Sequence, residues 1–241
     1  MLNRLKQLYL QQLATPGLLG LLVNPFYFSR RSLLKEMAAV ATRLRGRMID
    51  VGCGRQPYRH LFEVDEYCGV ELDTEFNRRT KKADFFYDGK TLPFQAEHFD
   101  ALLCNQVLEH VPDDEAFVAE LVRVVKPGGF LVLTAPFVWD EHEQPYDFKR
   151  YTSFGMRALL ERHGLCVVDF RKTCTDASLI FQVANIYIFK TMLPANAYLQ
   201  LLFTLLLIAP LNVLGALVAW LLPKNQDMYL DNVVLAQKAS S

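Results

Sequence analysis

Hydrophobic and polar positions follow two different rhythms along this chain. Between residues 46 and 172, short apolar runs rich in β-branched and aliphatic residues alternate with stretches of helical spacing. Met48–Val51, Tyr67–Leu72, Ala83–Tyr87, Asp100–Cys104, Phe130–Ala135 and Leu165–Arg171 read as strands, and Val233–Gln237 as a seventh. Tyr58–Phe62 begins a short helix, and Asp113–Val125 and Ser153–His163 read as longer ones. Asp113 or Asp114 supplies the cap of the second helix and Pro127-Gly128-Gly129 its stop, while Gly164 ends the third. Strands alternating with helices imply an α/β fold: a parallel sheet covered on both faces.

Two segments depart from that rhythm. Residues 1–45 form a helical appendage: an amphipathic helix to about Leu13, a break at Pro16-Gly17, an apolar segment through Phe28, and a helix over 31–45. Leu33, Leu34, Met37, Val40 and Leu44 lie on one face of that last helix. Arg4 and Lys6 among the first leucines, with no small-residue cleavage site after them, argue against a signal peptide. Residues 173–228 form an apolar insertion before the last strand and tail, 229–241. Here 33 consecutive residues between Lys190 and Lys224 carry no charge.

The most apolar part of the insertion, Tyr198–Leu222, is 25 residues long. As a helix it measures roughly 37 Å, against about 30 Å for a bilayer core. The strands on either side belong to one sheet, so the chain between them crosses a membrane zero or two times. Pro210 divides the stretch into halves too short to span, and Gln182, Asn185 and Lys190 interrupt a second apolar helix over Thr175–Met192. A helical hairpin dipping into one leaflet fits these features. Two full crossings, a soluble dimer interface and an apolar lid over a substrate pocket are the alternatives. Arg171, Lys172, Lys190 and Lys224 flank the insertion as suits a cytoplasmic membrane face, and Tyr187, Tyr198 and Trp220 suit its interface. The Pro25-Phe-Tyr-Phe28 segment, followed by Arg30 and Arg31, offers a second contact.

Composition narrows the partners. Lys plus Arg and Asp plus Glu are 26 each, so no broad basic face is available for nucleic acid. Five cysteines at 53, 68, 104, 166 and 174 contain no C-x-x-C pair, so no metal site is expected from them. They read as reduced, packed thiols of a cytosolic protein.

The candidate chemistry begins at Met48-Ile-Asp-Val-Gly-Cys-Gly-Arg55, an apolar strand ending in an acid and a Gly-x-Gly turn. Such a turn lets backbone approach a ligand where a side chain would block it. Glu71 ends the next apolar run, 21 positions after Asp50, about one βαβ crossover away. A nucleoside lying across both strand ends would bring its ribose to Glu71. Pro57 stands where a dinucleotide fingerprint needs its third glycine, which disfavours NAD.

Four motifs in order carry a resemblance. They are Asp50-Val-Gly-Cys-Gly54; Glu71; Asp88-Gly-Lys-Thr-Leu-Pro-Phe94 with Phe99-Asp100; and Asn105-Gln-Val-Leu-Glu-His-Val111 with Pro127-Gly128-Gly129. Over about residues 46–172 the chain resembles the class I S-adenosylmethionine-dependent methyltransferases, type-11 group. The resemblance implies a Rossmann-like seven-stranded sheet and S-adenosyl-L-methionine as cofactor. It implies a cofactor site of Asp50, Gly52, Cys53, Gly54, Glu71, Asp88, Asn105 and Gln106. In it Asp50 lies near the methionine ammonium, Glu71 binds the ribose hydroxyls and Asp88 the adenine amino group. Asn105 and Gln106 line the methionine part, Cys53 is a small filler, and His110 packs beneath the site.

Methyl transfer from a sulfonium is an in-line displacement, and a base is needed only where the acceptor must lose a proton. The loop after strand five, residues 136–152, is the candidate acceptor region. It offers His142, between Glu141 and Glu143, as a base, and Arg150 and Tyr151 for an anionic or sugar-like group. The run His142-Glu-Gln-Pro-Tyr-Asp-Phe-Lys-Arg-Tyr-Thr152 resembles methyltransferases of surface-glycan and lipid-linked-sugar pathways. The expectation is a methyltransferase at the cytoplasmic side of a membrane, acting on a small, lipid-linked or glycan-related acceptor. A membrane-bound scaffold that does not turn over and a soluble cytoplasmic enzyme of a hydrophobic metabolite are the competing readings.

Overall fold

The computed structural model describes residues 2–240. Seven strands form one sheet: β1 Arg47–Val51, β2 Glu66–Leu72, β3 Phe85–Tyr87, β4 Phe99–Asn105, β5 Val125–Pro136, β6 Leu165–Lys172 and β7 Asp231–Lys238. Their order across the sheet is β3-β2-β1-β4-β5-β7-β6. The pairs β1–β2, β1–β4, β2–β3 and β4–β5 are all parallel. The order reverses at β1, so a crevice opens above the carboxyl ends of β1 and β4.

One strand breaks the parallel expectation. Leu230 N–H bonds to Thr173 O just past the end of β6, and Ala239 N–H bonds to Gly164 O just before its start. β7 therefore runs antiparallel to β6. The physical reason lies in the connection: the chain leaves β6 and enters β7 at the same end of the strands, so no crossover returns it to the other end.

The expected α-helices are present with shifted ends. Asp114–Val124 (α5 in chain order) is capped by Asp113, whose Oδ1 accepts from Ala116 N at 3.1 Å. Ser153–Arg162 (α6) is capped by Thr152. The Tyr58–Phe62 stretch makes only a single 3-10 turn, Arg59–Leu61. Pro127-Gly128-Gly129 is not a helix stop but an irregularity inside β5, because Phe99 pairs with Val125 and Ala101 already with Phe130. A further helix, α4 Glu75–Thr80, buries no residue and left no apolar period to read. Ile49, Val51, Leu102, Leu121, Leu131 and Leu133 are fully buried in the core between the sheet and its helices.

The chain divides into two compact units. One holds the sheet: Glu36–Phe137, Glu141–Arg171 and the residues from Asn232 on. The other holds the chain up to Lys35, Val138–Asp140 and Lys172–Asp231, so the N-terminal appendage and the apolar insertion fold together. Among its helices are α1 Leu2–Ala14, α2 Gly20–Val23, the first part of α3 Tyr27–Ala41, α7 Ser178–Met192, α8 Ala197–Phe203 and α9 Ala209–Leu221.

Pro210 does not split the insertion. A π-helical turn at Thr204–Ile208 joins α8 to α9 just before Pro210, and such a bulge accommodates a proline that would break a regular α-helical ladder. Ala197–Leu221 is one 25-residue apolar helix. Gln182 and Asn185 of α7, and Asn212 of α9, do not interrupt the apolar surface either. They point inward with Asn24, and all four are fully buried. Gln182 Oε1 accepts from Phe28 N and Ser29 N, at 3.1 and 3.2 Å, and its Nε2 donates to Pro25 O. Asn212 Nδ2 donates to Leu21 O and Asn24 O, and its Oδ1 accepts from Asn185 Nδ2 at 2.8 Å. Gln182 thus satisfies backbone N–H groups at the start of α3, and Asn212 carbonyls at the end of α2. Gly215 lets α9 approach α7 closely, since a Cβ there would lie 2.7 Å from the Phe181 ring. The outward face carries Ile180, Leu202, Leu206, Leu214, Leu217 and Trp220, all exposed.

Candidate active site at the strand ends

Asp50 sits near the end of β1 and Glu71 near the end of β2, both buried. The turn between them is built by backbone. Gly52 N–H and Cys53 N–H both reach Val70 O, at 2.9 and 3.2 Å. Gly52 has φ +73°, and a Cβ there would collide with Val107 Cγ2 at 2.3 Å. Gly54 has φ +56° and nothing within 4 Å of a Cβ position, so open space lies directly above the turn. Its N–H donates to Glu71 Oε2 at 2.9 Å. The second Glu71 oxygen accepts only a long bond from Leu72 N, at 3.3 Å.

Asp50 is the most perturbed acid of the crevice. Burial pushes its carboxyl up to about 7, the hydrogen bond from Tyr67 Oη pulls it down, and Glu71 pushes it up again. An acid held near neutrality in this way is poised to gain from a cation. Cys53 is buried, and burial first, then Asp50, raises its thiol to about 12. It packs as a neutral filler. Asp88 is exposed at the rim, and its Oδ1 accepts from Lys90 N and Thr91 N, at 2.8 and 2.9 Å. Asn105 ends β4, Gln106 follows it, and the two share one anchor. Thr134 Oγ1 donates to Asn105 Oδ1 at 2.9 Å and accepts from Gln106 N at 3.0 Å. Gln106 has φ +55°, a left-handed conformation uncommon outside glycine.

The fit for an adenosylmethionine-like molecule rests on that open space above Gly54. It is flanked by a carboxylate with spare acceptor capacity at Glu71 and a buried acid at Asp50. Sequence reasoning missed Tyr67 and Thr134, which hold the acid and the two amides. Thr134 is the one polar residue in the otherwise apolar Phe130–Pro136 run, a signal that was there to read.

On the acceptor side, the loop after β5 is organised differently from expectation. The acid facing His142 is neither Glu141 nor Glu143 but Asp147, with Nδ1 to Oδ2 at 3.2 Å. Arg150 grips the same carboxylate with two bonds, at 2.6 and 2.7 Å. Those bonds hold Asp147 well below the usual carboxylate range. Tyr151 corrects the sequence reading. It is only 7% exposed, and its hydroxyl donates to Asp114 Oδ2 at 2.9 Å, so it ties the loop to α5 instead of meeting an acceptor. His110 is not simply packed beneath the crevice: its Nδ1 meets Tyr146 O at 2.6 Å, and its ring stands edge-on to His142 with centroids 4.7 Å apart.

Comparison with known proteins agrees with this geometry. Residues 49–133 match the family described as a methyltransferase domain. A ubiquinone biosynthesis O-methyltransferase of Xanthomonas oryzae is 48% identical over 105 residues, covering 36% of this chain and 42% of the relative. A fatty-acid O-methyltransferase of Mycolicibacterium smegmatis is 29% identical over 113 residues, covering 42% and 41%. The chain thus spans less than half the length of these relatives. Among solved structures, an S-adenosylmethionine-dependent methyltransferase from Mesorhizobium loti superimposes with a TM-score of 0.54 at 13% identity, covering 88% of this chain and 100% of the other. Motif, strand order and family match agree: residues 49–133 match a methyltransferase domain, and the sheet has the fold of the class I S-adenosylmethionine-dependent methyltransferases.

Proposed function

We propose that this protein transfers a methyl group to a small lipid-linked or glycan-related acceptor at the cytoplasmic face of a membrane. One observation carries the membrane part: the helical unit buries its amides and exposes its leucines, the reverse of a water-facing surface. Its 25-residue apolar helix has a mean hydropathy of 2.4 over its best 18-residue window, and only 28% of that window is buried. β6 and β7 share one sheet, so any crossings come in pairs. α7, at 15 residues, measures about 22 Å and falls short of a span. Shallow insertion into one leaflet meets both conditions. Tyr187, Tyr198 and Trp220 are all exposed, as interfacial aromatics would be.

The flanking cations support the cytoplasmic face less than their number implies. Arg171 pairs with Asp169 and Glu36, Lys172 donates to Gln226 O, and Lys190 pairs with Asp140. Five cysteines without a disulfide favour a reducing compartment. The relatives' names, which speak of a fatty acid and of ubiquinone biosynthesis, agree with an acceptor at home in lipid.

S-adenosylmethionine supplies an electrophilic methyl on a sulfonium. Glu71 holds the ribose hydroxyls, Gly52 and Gly54 let the ligand lie over the strand ends, and Cys53 fills the turn without reacting. Asn105 and Gln106 border the methionine part, and Asp88 stands at the adenine rim. Asp50 receives the ammonium. His142, oriented by Asp147, is placed to take a proton from a hydroxyl acceptor, and Arg150 presents positive charge beside it.

The Asp50 assignment carries a pH signature. In the free protein its carboxyl is protonated below about 7, whereas beside an ammonium it ionises more readily. Affinity for S-adenosylhomocysteine should therefore fall as pH drops from 8 to 5, approaching tenfold per unit below the free-state value. Asp50→Asn should bind weakly at every pH and lose the slope. Stability carries the opposite sign: a carboxyl raised by folding stabilises at low pH, and that contribution is lost as pH rises through about 7. Calorimetric titration at several pH values checks this, and a flat wild-type profile would remove Asp50 from the ammonium site.

A further inference from the structure

We infer that Glu109, His110 and His142 form a binding site for one divalent transition-metal ion. One ligand atom from each side chain lies within 4.8 Å of the other two. All three belong to the sheet-bearing unit. Glu109 and His110 sit in the short turn that follows β4, and His142 sits in the loop that follows β5. The site is sheltered, with Glu109 fully buried and the side chains of His110 and His142 17% and 27% exposed.

The hydrogen bonds around the imidazoles point the same way. His110 Nδ1 lies 2.6 Å from Tyr146 O, a group that can only accept, so the ring proton is on Nδ1 and Nε2 carries the lone pair. That Nε2 faces Glu109 Oε1 at 3.9 Å. His142 Nδ1 faces the Asp147 carboxylate at 3.2 Å, which favours the same tautomer. Two imidazoles, each anchored through Nδ1 by a carbonyl or a carboxylate, are prepared as neutral Nε2 ligands, which is the outer-shell arrangement of metal-binding histidines. Bonds of about 2.0–2.2 Å to zinc bring such ligands to roughly 3.3 Å apart, so the three side chains must close by up to about 1.5 Å. Two imidazoles and one carboxylate suit Zn2+, Fe2+, Co2+ or Mn2+ and leave positions open on the ion.

The site deepens the methyltransferase reading and rests on it only for the class of ligand that would fill the open positions. That ligand is a hydroxyl-bearing acceptor. An ion bound there lowers the hydroxyl's pKa, and with the ion in place His142 holds it as a ligand, a role that replaces the proton transfer assigned to the metal-free side chain. The acceptor proton goes to water, the O–CH3 bond forms as the C–S bond breaks, and the thioether leaves.

The test is equilibrium dialysis of the chelator-stripped, detergent-purified full chain against Zn2+, with Co2+ absorption as a second readout. S-adenosylhomocysteine titration runs beside it as an independent check of the fold. One Zn2+ per chain is expected, with affinity falling at least tenfold in His142→Ala and in Glu109→Gln. Asp147→Asn, which removes no ligand but loosens the support of His142 and the grip of Arg150, should weaken it by about 10–100-fold. Binding weaker than ~100 µM, or binding unchanged in both ligand variants, overturns the site. Zinc binding without homocysteine-ligand binding would leave the metal site standing and remove the cofactor reading instead.

Discussion

Glu71→Ala should weaken S-adenosylhomocysteine binding on the order of a thousandfold while leaving the sheet folded. The carboxylate is buried at the end of β2, where Oε2 fixes the Gly54 N–H and Oε1 holds only a 3.3 Å bond to Leu72 N. Two ribose hydroxyls bonded to a charged acceptor contribute about 1.5–3 kcal/mol each, and every 1.4 kcal/mol is tenfold in affinity. Losing the Gly54 partner adds a smaller cost, about 1–3 kcal/mol, to stability. Glu71→Gln keeps one acceptor and should fall between the two. Calorimetry gives the affinities, and circular dichroism confirms the fold. An alanine variant that binds as well as the wild type would mean that the ribose lies elsewhere.

The second large effect concerns the membrane. Leu206 and Leu217 lie on the outward face of the 25-residue helix, 63% and 54% exposed. Immersing each leucine is worth about 1.5–3 kcal/mol, and an aspartate at bilayer depth costs about 2.5–3.5 kcal/mol. The double variant Leu206→Asp with Leu217→Asp should therefore partition into vesicles at least a hundredfold less than the wild type. Both residues belong to the helical unit and none of the candidate cofactor residues does, so S-adenosylhomocysteine affinity should not change. Flotation with phosphatidylethanolamine–phosphatidylglycerol vesicles reads the result. A double variant that floats as before would assign the apolar face to a protein partner, or to a lid, instead of lipid.

The cofactor half of this molecule was legible because its signals are local. An apolar strand, an acid, a Gly-x-Gly turn and a second acid one crossover later occur at fixed spacing, and each is read from a few adjacent residues. The insertion was legible in composition but not in orientation. Gln182, Asn185 and Asn212 look like interruptions of an apolar helix, yet they are its interior: Gln182 and Asn212 bond to backbone groups distant in sequence, and Asn185 bonds to Asn212. The same limit hid the partner of His142. Sequence neighbours suggested Glu141 and Glu143, whereas the loop folds back to present Asp147. Tyr151 was misread because nothing in a Lys-Arg-Tyr-Thr run says which side chain turns inward to Asp114. α4 was invisible because a short polar helix that buries nothing has no period.

Methyl transfer itself tests the central claim most directly. Vesicle-reconstituted protein would be incubated with methyl-tritiated S-adenosylmethionine and a total lipid extract, then partitioned between water and organic solvent. Label is expected in the organic phase, with one S-adenosylhomocysteine formed per methyl transferred and neither product with Glu71→Ala. S-adenosylhomocysteine formation matched by label in water-soluble acceptors alone would contradict the lipid-linked reading. No turnover above the Glu71→Ala control with any fraction would contradict the enzyme.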